Sequence, residues 1–270
     1  MKGALVGKNL NFSKSKLVHN YISKKYDLNY TYDIIDVQDE EKIVFINGVE
    51  NKSLQFIFDL PKDLFLPVFL EKLGYTFINV TSPFKTIISK KYTNSFLVKK
   101  TGCFNIIYYV KNRLVTYNSD IFGFKELLQR NTIDFNKDLV YILGNGGVAR
   151  SAAFVIRKNP KIFVVRKNST HSIPENHIFY PDLVNQKASY FINTTTPGVI
   201  KAELFTEEQL KTVTFIDLNY APTSLKCSFK HYIDGLDMLI AQAFKTISLV
   251  TKNKKIAASD CDYIKIRKLL

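Results

Sequence analysis

The stretch Gly144-Asn145-Gly146-Gly147-Val148-Ala149-Arg150 has the composition and spacing that most directly imply chemistry. It follows an apolar run, DLVYIL at 138 to 143, and opens an Ala-rich run, VARSAAFVIRK, whose apolar positions recur at helical spacing. Gly144 permits a tight turn, and Gly146 and Gly147 let a phosphate approach the backbone with no Cβ in the way. The helix that follows offers unpaired N–H groups at its positive dipole end, so the segment suits a dinucleotide pyrophosphate. At the end of the next apolar run, KIFVV at 161 to 165, a site for NAD places an acidic residue on the ribose 2′-hydroxyl. Arg166 and Lys167 stand there instead, and two cations suit the 2′-phosphate of NADP(H), the cofactor expected. His19, His171, His177 and His231 have no metal-like spacing and adjoin no nucleophile motif, and Cys103, Cys227 and Cys261 lack CxxC spacing. No metal, hydrolytic triad or disulfide framework is expected from them.

Positioning such a loop requires alternating strands and helices. After 138–143 and 161–165, strand patterns recur at SYFINTT (189–195) and VTFIDLNY (213–220), with a helical FTEEQLK (205–211) between them. Parallel crossovers follow, hence a doubly wound, Rossmann-type sheet. The first half carries its own strand patterns at ALVG, YTYDIIDV, LQFIFDL, FINVT, FNIIYYV and RLVTY, and helical ones at KLVHNYISKKY and KDLFLPVFLEKLG. IFGFKELLQR (121–130) reads as a helix joining the two units, and DMLIAQAFKTISLV (237–250) as a long apolar helix after the last strand. The fold class expected is α/β in two domains.

A length of 270 residues, with 46% hydrophobic and 23% charged, supplies ample core and argues against disorder. No apolar run approaches the ~18 residues that span a bilayer, and the start is too briefly apolar for a signal peptide, so a soluble, cytoplasmic protein with no membrane partner is expected. The net charge of +14 favours anionic partners, but the cations are scattered without a long basic tract or interleaved aromatics, which argues against nucleic acid.

A series of short motifs resembles the shikimate dehydrogenase family. Asn11 to Asn20 looks like that family's Ser-x-Ser-Pro and His-Asn, and Asn79-Val80-Thr81-Ser82-Pro83-Phe84-Lys85 looks like its Asn-Val-Thr-x-Pro-x-Lys. Gly102 to Asn105, Asn118-Ser119-Asp120, the turn from Gly144, Asn193 to Gly198, Asp217-x-x-Tyr220-x-Pro222-Thr223, and Gly235 to Met238 with Gln242-Ala243 complete the series in order. The resemblance implies an N-terminal substrate-binding and catalytic domain (1–121 and 237–270), an NADP-binding Rossmann domain (122–236), and C-terminal helices returning to the first domain. It implies NADP-dependent, reversible reduction of 3-dehydroshikimate to shikimate, in aromatic amino acid and chorismate biosynthesis. Lys85 and Asp120 are then the catalytic acid/base pair. Ser13, Ser15 and Tyr220 would hold the substrate carboxylate, Thr81, Asn105 and Gln242 would join Asp120 at its hydroxyls, and Asn79 would brace the loop. Gly144, Asn145, Gly146, Gly147, Val148, Arg166, Lys167, Thr194, Gly235 and Met238 would bind the cofactor.

Departures from the family keep other readings open. Phe12 and Lys16 replace a His and a Pro around the two serines, with Lys16 a candidate extra cation, and Ile121 replaces a Gly. Residues 29–53 read as an inserted hairpin-like element, and the connection from 168 to 193 is short and rich in poor helix formers. The alternatives are a paralogue acting on quinate or another hydroxylated carboxylic acid, or a non-catalytic ligand-binding protein. A monomer or homodimer is expected.

Overall fold

The computed structural model describes residues 1–38, 40–61, 64–86, 95–169, 172–220 and 223–270. The chain divides into two compact units, Met1–Phe122 with Ile240–Leu270, and Gly123–Leu239.

The first unit contains β1 (Lys2–Gly7), α1 (Ser15–Lys25), β2 (Thr31–Gln38), β3 (Ile43–Ile46), β4 (Val49–Glu50), α2 (Phe65–Lys72), β5 (Phe77–Val80), α3 (Phe96–Thr101), β6 (Ile106–Val110), β7 (Arg113–Tyr117) and the start of α4 (Asp120–Arg130). Its mixed sheet has the order β4-β3-β2-β1-β5-β6-β7, with β1 parallel to both neighbours and the outer pairs antiparallel. The hairpin expected within 29–53 is the β2-β3-β4 meander. Its last turn is Asn47-Gly48, with φ of 52° and 82°, the left-handed pair a two-residue hairpin turn demands. LQFIFDL corrects the sequence reading: Lys52–Asp59 is a 3-10 helix, not a strand. Leu54 and Ile57, three residues apart, are its fully buried pair, with Phe56 and Phe58 half-buried against the same core, and three residues make one turn of that helix.

His19 on α1 is an internal brace. Its ring stacks on Tyr32 with centroids 3.8 Å apart. The Tyr30 hydroxyl donates to the His19 carbonyl at 2.7 Å, so its oxygen accepts from Nδ1–H at 3.0 Å. Complete burial of this neutral ring lowers its pKa from 6.5 to about 3. The unfolded chain therefore takes up a proton that the folded one refuses. Stability from this site is complete above pH 6.5 and drains as the pH falls toward about 3, at up to about 1.4 kcal/mol per pH unit. Urea midpoints measured between pH 7 and 4 are expected to fall steeply in the wild type. In His19→Phe they should start lower, for want of the Tyr30 bonds, and fall less steeply.

The second unit contains β8 (Val140–Leu143), α5 (Gly147–Val155), β9 (Lys161–Val165), β10 (His177–Phe179), β11 (Tyr190–Asn193), α6 (Glu207–Thr212), β12 (Thr214–Asp217), α7 (Leu225–Ser228), β13 (His231–Asp234) and the first residues of α8 (Leu236–Val250). All six strands are parallel in the order β10-β9-β8-β11-β12-β13, the doubly wound arrangement expected. Among its described residues the short connection from β9 to β11 has no α-helix: it lays down β10 and a 3-10 turn, Tyr180–Asn185. The rest of α8 and α9 (Asp260–Leu269) belong to the first unit, where Asp262 accepts from Tyr21 at 2.7 Å and Lys25 at 2.6 Å on α1. Among the described residues no helix is long and apolar enough to cross a membrane.

Candidate active site

In the first unit the segment 79–85, which starts in the last two residues of β5, ends on Lys85. Its Nζ lies 2.7 Å from Asp120 Oδ2, with the Lys85 side chain 12% and that of Asp120 1% exposed. Asp120 is the first residue of α4, where the positive end of the helix dipole favours a carboxylate. Its other oxygen, Oδ1, accepts from Asn105 Nδ2 at 2.9 Å and Gln242 Nε2 at 2.8 Å. Asn105 is held in turn by the Ser119 N–H, which donates to its Oδ1 at 2.7 Å, and Asn118 Oδ1 accepts the Asp120 N–H at 3.1 Å. These bonds fix a buried anion and, through it, an ammonium in one position, the arrangement a proton donor to a carbonyl oxygen needs. Asn79 is a brace: it accepts from the Tyr32 hydroxyl at 2.9 Å and donates to Thr246 Oγ1 at 3.0 Å. Tyr32 and Thr246 carry no signal in the sequence, being single residues outside every motif.

Ser13 and Ser15 sit where α1 begins. Ser15 is buried and its N–H donates to Ser13 Oγ at 3.4 Å, while Lys14 rather than a serine takes the cap position. Lys16 is engaged elsewhere, donating to Asn47 Oδ1 at 2.9 Å in the β3-β4 turn. Thr81 is half-buried, with its N–H on the Val6 carbonyl and its methyl group in the space a Cβ on Gly7 would fill. The structure thus brings Lys85, Asp120, Asn105 and Gln242 into one hydrogen-bonded group. Tyr220 lies in the second unit, half-buried.

There the loop after β8 has the shape its glycines imply. Gly144 adopts φ of 106°, and a Cβ on it would lie 2.8 Å from Thr194 Oγ1 and 3.1 Å from Thr195 Cγ2. Gly146 is the extended cap and Gly147 opens the nine-residue α5. Val148 packs on the core beneath, beside which Met238 is itself a core side chain, 5% exposed. This cradle, closed to side chains and facing a helix N-terminus, fits a pyrophosphate. Asn145 ties it to the loop after β9, donating to Ser169 Oγ at 3.0 Å and the Ser172 carbonyl at 3.3 Å. Arg166 and Lys167 in that loop are exposed. Thr194 is fixed through Oγ1 to the Leu143 carbonyl at 2.7 Å. Gly235 is packed so tightly that a Cβ would lie 2.4 Å from the Leu218 carbonyl oxygen. Behind these ends Asp217 gathers Asn193, Asn219 and Tyr232 at 3.0, 2.9 and 2.9 Å, and burial raises its pKa. Among the described residues no group of His, Cys, Asp or Glu could hold a metal ion.

No protein-family model matches the chain. It is 26% identical over 260 residues to the NADP(+) shikimate dehydrogenase of Clostridium beijerinckii, covering 89% of this chain and 88% of that one. To the enzyme of the same name from Methanococcus maripaludis it is 27% identical over 277 residues, covering 93% and 91%. Shikimate dehydrogenase 1 from Peptoclostridium difficile superposes with a TM-score of 0.77 at 23% identity, over 99% of this chain and 97% of that one. The Thermus thermophilus enzyme, solved with NADP(H) and shikimate, gives 0.70 at 21% identity over the whole of both chains. In the order of its motifs, in similarity along its length and in fold, the chain is similar to the shikimate dehydrogenases.

Proposed function

We propose that the protein is an NADP-dependent oxidoreductase that reversibly reduces 3-dehydroshikimate to shikimate. The observation that carries this reading is the Lys85–Asp120 pair, held at 2.7 Å with Asn105 and Gln242 on the same carboxylate. As a carbonyl is reduced, negative charge grows on its oxygen and a proton must follow. Lys85 Nζ supplies that proton and steadies the charge as it forms; in the reverse direction it takes the hydroxyl proton back. Asp120 orients the ammonium and accepts from a substrate hydroxyl, with Asn105, Gln242 and Thr81 reading the other hydroxyls. Ser13, Ser15 and Tyr220 bind the carboxylate. Neutral donors and acceptors of this kind discriminate strongly, because a wrong substrate leaves them unpaired.

NADPH, when bound, supplies the hydride. The loop from Gly144 to Val148 would hold its pyrophosphate, Arg166 and Lys167 its 2′-phosphate, and Thr194, Gly235 and Met238 the remainder. The substrate domain is then 1–121 with 237–270 and the cofactor domain 122–236. On this reading the protein is a cytoplasmic enzyme of aromatic amino acid and chorismate biosynthesis, working as a monomer or homodimer.

Initial rates with NADP or NAD, each with shikimate or quinate, followed at the reduced-nicotinamide absorbance band, test the reading. The highest kcat/KM is expected for NADP with shikimate, and no turnover with any pair overturns it. In Arg166→Ala/Lys167→Ala the KM for NADP is expected to rise by about 10- to 100-fold, with that for NAD little changed, since only NADP loses charge-assisted bonds.

A further inference from the structure

The loop from Lys8 to Lys14, between β1 and α1, leads to Ser13 and Ser15, and its first half is gripped from the end of β2. Asp36, 8% exposed, accepts the N–H of Asn9 at 2.9 Å through Oδ1 and the N–H of Leu10 at 3.0 Å through Oδ2. Gln38 Nε2 donates to the same Oδ1 at 2.9 Å, and Glu40 pairs with Lys8 at 2.9 Å. On its other side the root of the loop is tied to the segment that ends on Lys85: the Lys8 N–H donates to the Ser82 carbonyl at 3.1 Å. Asn9 is held in the left-handed region, at φ of 56°, and the Ser13 N–H turns back to the Leu10 carbonyl at 2.9 Å. A desolvated carboxylate is tolerated only where donors meet it, and here two consecutive backbone amides do so, one on each oxygen. An amide side chain cannot replace it, because one of its two terminal atoms is a donor and would face a donor.

We infer that Asp36 is a positioning residue that presets the 8–14 loop, and with it the hydroxyls of Ser13 and Ser15, for the substrate carboxylate. This rests on the substrate reading above and extends it to a residue outside every motif. Pre-set donors bind without the cost of ordering the loop, so the loss falls on ground-state binding.

The test compares steady-state constants of wild type, Asp36→Asn and Gln38→Leu, with NADP affinity measured by calorimetry. In Asp36→Asn the KM for shikimate is expected to rise by about tenfold or more, with kcat within about twofold and NADP affinity unchanged. Gln38→Leu removes one donor from the carboxylate and leaves the two amides, so a smaller rise, about threefold, is expected, and it decides the matter alone if Asp36→Asn does not fold. A shikimate KM that stays at the wild-type value, or a fall in kcat at constant KM, overturns the positioning role. Wild-type turnover in the same assay separates the two failures: with it present, an unchanged KM overturns this role alone, and with it absent, the substrate reading falls and this inference with it.

Discussion

Lys85→Ala is expected to lower kcat for shikimate oxidation by about 10³-fold, within the range that positioned acid–base groups supply, and to change KM far less. The ammonium acts on charge that exists only as the carbonyl is reduced, so its loss belongs to the transition state rather than to substrate binding. Asp120 would lose its charged partner but keep its bonds from Asn105 and Gln242, so the fold should survive with a modest drop in stability. Lys85→Met, which keeps the stem and removes the charge, separates the two effects: it should be as inactive as the alanine variant and more stable. A kcat within a few-fold of wild type in either variant contradicts the assigned role.

Asp120→Asn is the second large effect. The substitution keeps the shape, but the side chain turns from an acceptor at both oxygens into one that must present an amide N–H on one side. Lys85, Asn105 and Gln242 all approach Asp120 as donors, so one of them must meet a donor. With Lys85 only 12% exposed, its ammonium is left poorly compensated and poorly aimed. A fall in kcat of about 10²-fold or more is expected, together with a lower melting temperature, because the pair stands between motif segments far apart in the chain. Lys85→Ala/Asp120→Asn should be little slower than Lys85→Ala alone, since the two groups act as one unit. Fully additive losses would show that they act separately.

The second unit was the more legible part of the chain. Its strands are short apolar runs bounded by turn residues, and the glycine loop marks both a strand end and a helix start, so Val140–Leu143, the loop and Gly147–Val155 follow from local pattern alone. His231–Asp234 and His177–Phe179 escaped that reading because a three- or four-residue edge strand is specified by its pairing with a neighbour, not by its own composition. The 3-10 helix at Lys52–Asp59 was misread for the opposite reason: an apolar run with aromatics looks like a strand, and only the burial of Leu54 with Ile57 shows the turn. Lys85 and Asp120 could be named only through their motifs, since a lysine and an aspartate 35 residues apart carry no local signal of contact. Asp36, Tyr32 and Thr246, which position the loops around them, left no trace in any motif.

Hydride movement between shikimate and NADP on this chain is open to a test by transfer of an isotopic label. Shikimate carrying deuterium at the carbinol carbon that is oxidised should yield NADPH one mass unit heavier and unlabelled 3-dehydroshikimate, in equal amounts, with label transferred about 10³-fold more slowly by Lys85→Ala. Binding of both ligands without label in the cofactor, by wild-type protein at any pH between 6 and 10, would contradict the account.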